Sequence, residues 1–114
     1  MIDFACKQIE LSDLIQCSFQ LTKTEYKILV HLIEKDKKED VKSLAEELKL
    51  DRSTVQKAIK KLYQKELIKR NQMNIRSGGY LYVYKAKDKE KIKDEILDLI
   101  ENWSTSAKES IKKW

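Results

Sequence analysis

Residues 40–68, DVKSLAEELKLDRSTVQKAIKKLYQKELI, carry two short amphipathic patterns joined by a few residues. In the first, Val41, Leu44, Ala45 and Leu48 recur at helical spacing, which predicts a helix over 41–48 whose small Ala45 permits close helix contact. Leu50 is expected to pack in the turn, and Asp51 stands where it can cap a second helix. That helix has its own stripe, Val55, Ala58, Ile59 and Leu62. At about 100° per residue, Ser53, Lys57, Lys60 and Gln64 fall on the opposite side, flanked by Thr54, Gln56 and Lys61. The helix over 52–65 would span about 21 Å and be about 10–12 Å across, which fits a major groove of similar width. It reads as a recognition helix, with free amides at Arg52, Ser53 and Thr54 at the groove entrance.

The next segment of the chain has the grammar of a hairpin. Residues 67–73 and 80–86 are rich in β-branched and aromatic side chains, and Asn74-Ile75-Arg76-Ser77-Gly78-Gly79 lies between them. A helix-turn-helix with such a hairpin after it is a winged helix, with the wing over 69–84 and Arg76 at its tip. In the second strand Tyr80, Tyr82 and Tyr84 share one face and Leu81 and Val83 the other, so one row should pack on the helices; the spacing does not choose between them. The chain has no proline and only the two adjacent glycines, which makes the tip the one place built for unusual backbone angles.

Outward from this core, Thr22 and Glu25 have capping-box spacing and open a helix with Tyr26, Leu29, Val30 and Ile33 as its stripe and Ile28 and Leu32 extending it on one flank, ended by the polar run Asp36 to Asp40. Phe4, Leu11, Leu14 and Ile15 predict a first helix over about 2–17, with a break near Ser12 left open. Residues 87–114 read as a long helix in which Ile92, Ile96, Leu99 and Trp103 recur at four, three and four, continued by Ile100, Ala107, Ile111 and Trp114. A winged helix is already covered by its own helices and hairpin, so this extra stripe needs a partner. A second copy of the chain is the simplest, through Phe4, Leu11, Ile92, Ile96, Leu99, Trp103 and Ile111; folding back on its own domain is the other reading.

The length, 114 residues, predicts one domain over 1–114, with a winged-helix core at 21–86 and terminal helices at 1–20 and 87–114. The net charge of +5 matters for where it lies. From Arg52 to Arg76 eight basic residues stand against Glu66 alone, a balance of +7, so the rest of the chain, with 16 basic and 18 acidic residues, is −2. A mildly acidic body with one basic segment is the electrostatic footprint of a nucleic-acid binder, and also what a solvated lysine-rich face looks like. No stretch approaches the roughly 20 apolar residues that cross a bilayer, and the first fifteen residues do not resemble a secretory signal. These features predict a cytoplasmic protein without membrane insertion.

Two cysteines do not make a disulfide framework. On an unbroken helix Cys6 and Cys17 would lie on nearly one face but about 16 Å apart, unable to pair within it. A redox switch across a dimer and plain buried packing are the two readings, the second the more common. Cys6, Cys17 and His31 lack zinc spacing and ligand count, and His31 reads as a helix-surface histidine, so no metal and no cofactor are expected. No nucleophile-base grouping, phosphate loop or carboxylate pair gives catalysis a candidate residue, and an enzyme is not expected.

The pattern Leu21-Thr22, Glu25, Ile28-Leu29, Leu32, then Val41, Leu44-Ala45, Leu48, Leu50, Ser53-Thr54-Val55, Leu62, Leu67-Ile68 and Arg70 resembles the winged-helix domain of the MarR and TrmB-like families of prokaryotic transcription regulators, over about 21–86. Small, lysine-rich, proline-free chains with terminal helices look most like archaeal members. The resemblance implies a homodimer joined by its terminal helices on a pseudo-palindromic operator. The chain departs from it in two ways: the sugar-binding C-terminal domain of full-length TrmB proteins has no counterpart, and Asn74-Ile75-Arg76 stands where many MarR wings carry Asp-x-Arg.

The expectation is therefore a mainly α fold with a small β-hairpin (α+β), a winged helix-turn-helix with terminal helices forming a dimer interface. It would act as a sequence-specific regulator of transcription on double-stranded DNA, with repression by occlusion. Contacts are expected from Arg52, Ser53, Thr54, Gln56, Lys57, Lys60 and Lys61 on the helix and Lys69, Arg70 and Arg76 on the wing. A small-molecule or redox effector is left open. A nucleoid-coating protein without sequence preference and a protein-interaction module are the alternatives.

Overall fold

A computed structural model describes residues 1–114. Its elements arise from local signals. Thr22 and Glu25 close their capping box, the Glu25 amide donating to Thr22 Oγ1 and the Thr22 amide to Glu25 Oε1, each at 3.1 Å. This starts α2 (Lys23–Lys35), which buries Ile28, Leu29 and Leu32. Asp40 caps α3 (Val41–Leu48) by accepting from the Ser43 amide at 2.8 Å, and α3 buries Leu44 and Ala45. The next helix, α4 (Arg52–Gln64), buries Val55, Ala58, Ile59 and Leu62, all four of the residues its spacing marks. Asp51 holds its cap position, but its carboxylate accepts no hydrogen bond.

Three helices end the same way. At Gln20-Leu21, Lys49-Leu50 and Glu66-Leu67, a left-handed residue (φ 54°, 56° and 59°) is succeeded by a leucine. The leucine amide reaches back five residues, to Gln16, Ala45 and Leu62, at 2.8, 2.9 and 3.0 Å. This is the Schellman closure, with the apolar residue after the turn packed into or against the core. Leu21 and Leu67 are buried and Leu50 is half-buried. Asp36 (φ 48°) and Ala5 (φ 49°) are left-handed as well. The expectation that only the glycine pair would carry unusual angles is thus corrected: leucine packing holds ordinary residues there, where composition alone points to glycine.

The wing pairs β3 (Ile68–Asn74) with β4 (Tyr80–Ala86) antiparallel, in register from Ile68 with Ala86 to Asn74 with Tyr80. At its tip Gly78 and Gly79 adopt φ of 101° and 82°. Neither side-chain row of β4 is the inward one. Val83 and Tyr84, on opposite faces, are both buried, whereas Tyr80 and Leu81 are both exposed. Burial tracks distance from the base, because the distal half of the hairpin projects beyond the helices. At the base Glu39 adds a one-residue bridge, with Glu39 N to Tyr84 O at 2.9 Å and Tyr84 N to Glu39 O at 2.8 Å.

The N-terminus departs from expectation. In place of one helix over 2–17 there is a small hairpin, β1 (Ile2–Phe4) with β2 (Lys7–Ile9), and then α1 (Leu11–Phe19). Phe4 pairs with Lys7 across a turn at Ala5-Cys6, and Ala5 takes the left-handed angle that a strand-to-strand reversal needs and a helix does not. The long helix α5 (Lys89–Lys113) is continuous through Asn102 and Ser104-Thr105-Ser106. Its 25 residues reach about 37 Å, and the molecule extends 65 × 23 × 21 Å. Ile92 roots α5 in the core, Ile96 packs against that core, and α1 lies alongside.

Candidate nucleic-acid interface

The buried stripe of α4 decides what its other side can do. With Val55, Ala58, Ile59 and Leu62 turned inward, Arg52, Ser53, Gln56, Lys57, Lys60 and Lys61 are exposed and Thr54 is half-buried. None of these cations takes part in an ion pair, nor do Lys69 and Arg76, so their charge is uncompensated. Because Asp51 accepts no amide, the first-turn amides of α4 have no side-chain acceptor, leaving a partial positive charge at that end.

Two members of the basic segment are engaged within the fold. Lys65 Nζ donates to the carbonyl oxygens of Phe19 at 2.7 Å and Gln20 at 2.6 Å, satisfying the end of α1. The +7 balance therefore overstates the free charge. Arg70 lies between two rings, 4.6 Å from the Tyr63 centroid and 4.5 Å from that of Tyr82, which in turn meets Tyr80 edge-on at 5.3 Å. These cation–π contacts hold the guanidinium between the two rings while Arg70 stays exposed. Tyr63, Tyr82 and Lys65 were not among the residues marked by sequence; cross-strand register would have placed Tyr82 on Arg70's face, but Tyr63 comes from another element.

Among the residues expected at a dimer contact, Phe4, Leu11, Leu99, Trp103 and Ile111 are exposed, Trp103 at 65 % and Ile111 at 68 %. Ile92 is not available, being only 4 % exposed in the protomer's own core, and Ile96 is half-covered by that core. Both cysteines are exposed, which corrects the expectation that they serve as buried apolar residues; Cys6 lies in the turn of the first hairpin, outside any helix. His31 is also not a simple surface residue. Its side chain is 14 % exposed and lies between Glu39 and Glu47.

Residues 15–90 match the family model described as the sugar-specific transcriptional regulator TrmB. The chain belongs to the TrmB family. A solved structure from Methanosarcina mazei Go1, described as a possible transcriptional regulator, is 38% identical, with a TM-score of 0.92 over 100% of this chain and 96% of that one. A protein of Methanocaldococcus jannaschii, described as uncharacterized, is 34% identical over 96% of this chain and 79% of its own length. ZitR of Lactococcus lactis, solved in complex with DNA, is 27% identical, with a TM-score of 0.50 over 82% of this chain and 62% of that chain. The TrmB family membership and these neighbours establish a winged-helix transcription regulator of α+β class. No helix is long and apolar enough to cross a membrane.

Proposed function

We propose that this TrmB-family chain binds a defined DNA sequence as a homodimer, α4 entering the major groove and the wing lying on the backbone or in the minor groove. The observation that carries this reading is the division of α4: its apolar stripe is buried, and the opposite side presents Ser53, Gln56, Lys57 and Lys60 with no intramolecular ion pair. Lysines and Arg76 neutralise phosphates, while Ser53, Thr54, Gln56 and Lys57 reach base edges. The DNA complex of the similarly folded ZitR supports this use of the fold. The uncovered apolar residues of α5, with Phe4 and Leu11, supply the self-association surface. In a two-fold dimer the α4 helices would meet successive major grooves about 34 Å apart.

Selection of bound sites from a random DNA pool tests specificity and spacing together. A palindromic consensus with half-sites one helical turn apart is expected. Equal affinity for selected and random duplexes at fixed salt would instead indicate a nucleoid-coating protein, and no DNA affinity at all would leave the protein-interaction reading.

A further inference from the structure

Behind the hairpin base, three ionisable side chains from three parts of the winged-helix domain converge. His31 comes from α2, Glu39 from the connection to α3, and Glu47 from α3 itself. Their ligand-type atoms lie within 4.8 Å of one another. His31 Nε2 is 3.1 Å from Glu39 Oε2 and 2.7 Å from Glu47 Oε2. A ring nitrogen carries at most one proton, so it cannot give a full hydrogen bond to both carboxylates. The Glu39 side chain is only 3 % exposed and its Oε1 accepts no hydrogen bond. The nearest cation to that oxygen, Lys37 Nζ, is 3.9 Å away on a side chain 61 % exposed. A buried carboxylate with one bare oxygen and a shared donor is costly unless a proton or a cation neutralises it, and a cation would also occupy the facing donors of His31 and Glu47. Glu39 is also fixed in place by its backbone bridge to Tyr84.

We infer that His31, Glu39 and Glu47 form a binding site for one divalent transition-metal cation of the zinc type. One imidazole nitrogen and two carboxylate oxygens are a donor set such ions accept, with water as a fourth ligand. Metal–ligand bonds of about 2.0–2.2 Å in a tetrahedron put donor atoms about 3.3–3.6 Å apart. The observed 2.7 and 3.1 Å therefore need only small outward shifts, the larger one by the more exposed Glu47. The ion replaces the contested proton on Nε2, neutralises the carboxylates and ties α2, the α2–α3 connection and α3 together. The site does not depend on whether α4 binds DNA.

The chain has a single histidine, so its imidazole nitrogen resonances are unambiguous. Zn2+ is titrated into the full chain carrying Cys6→Ser and Cys17→Ser, which removes thiolate ligands and leaves the cluster intact. One ion per chain is expected, with displacement of the His31 Nε2 resonance, and Glu47→Gln, at the solvent-facing edge of the cluster, should weaken binding at least tenfold while circular dichroism stays unchanged. Absence of stoichiometric binding, an unmoved His31 resonance, or equal affinity in Glu47→Gln would each overturn the inference.

Discussion

The guanidinium of Arg70 stands 4.6 Å over the ring of Tyr63, joining the first wing strand to the last turn of α4. Each exposed cation–π contact contributes about 0.5–1 kcal/mol, and Arg70 makes a second with Tyr82. Arg70→Ala should therefore lower stability by about 1–2 kcal/mol in urea unfolding. Arg70→Lys should recover only part of it, since an ammonium keeps the charge but not the stacked plane. A wild-type midpoint in Arg70→Ala would show that the stack is incidental.

The free cations of α4 and the wing make DNA affinity a function of salt. Each phosphate contact contributes a slope of about −0.9 in log affinity against log salt. Lys57→Ala and Arg76→Ala should each weaken binding, and Arg76→Ala, which removes a phosphate contact, should flatten that slope by about 1. A filter-binding series in which affinity does not vary with salt would contradict the electrostatic reading of the interface.

Self-association should respond to the far part of α5. Trp103→Glu, at a side chain 65 % exposed, is expected to turn a sedimenting dimer into a folded monomer. Ile96→Glu is the less clean choice, because Ile96 also packs on its own core and its loss would destabilise the protomer. A wild-type chain that sediments as a monomer at micromolar concentration would remove the dimer.

Hydrogen bonding to Ser43, through its side chain and then its amide, holds the Asp40 carboxyl below its ordinary value. A depressed carboxylate stabilises the fold above the unfolded-state pKa, near 3.8, and that stabilisation is lost as pH falls through the lower folded value. Asp40→Ala should cost about 1 kcal/mol at pH 7, the usual value of such a cap. The gap between variant and wild type should narrow as pH falls below about 3.8 and through the lower folded value, where the wild-type carboxylate takes up its proton. Denaturant midpoints at pH 7 and pH 3 measure it.

Lys49 ends α3 in a left-handed conformation. That conformation costs a side-chain-bearing residue about 1–2 kcal/mol, against about 0.5–1 kcal/mol for the greater unfolded freedom of glycine. Lys49→Gly should accordingly raise stability by about 0.5–1 kcal/mol, seen as a higher thermal midpoint.

Much of this architecture was legible because it is written in short-range periodicity. The stripes of α3 and α4, the Thr22–Glu25 cap and the span of β4 depend on neighbours within four residues, whereas in α2 the buried residues are Ile28, Leu29 and Leu32 and the expected Tyr26, Val30 and Ile33 are only half-buried. The winged-helix reading and the family resemblance rested on that part of the chain, and TrmB membership agrees with it. What could not be read was set by distance along the chain. The N-terminal hairpin was hidden because a few apolar residues at short spacing also fit one side of a short helix. Lys65 meets a helix end 45 residues away, and the His31 cluster draws on positions 8 and 16 residues downstream. Ile92 and Trp103 belong to one stripe by spacing, yet only contact with the core separates the covered member from the exposed one.

An unbroken α5 makes the molecule a lever. One end is anchored at Ile92, and the other carries Trp103 and Ile111 well away from the core. Over about 37 Å, a tilt of about 5° at the anchored end displaces the tip by about 3 Å, close to the rise of one base pair. Small angular adjustments at the anchored end would thus be felt at the far end of α5 as shifts of about one base-pair step.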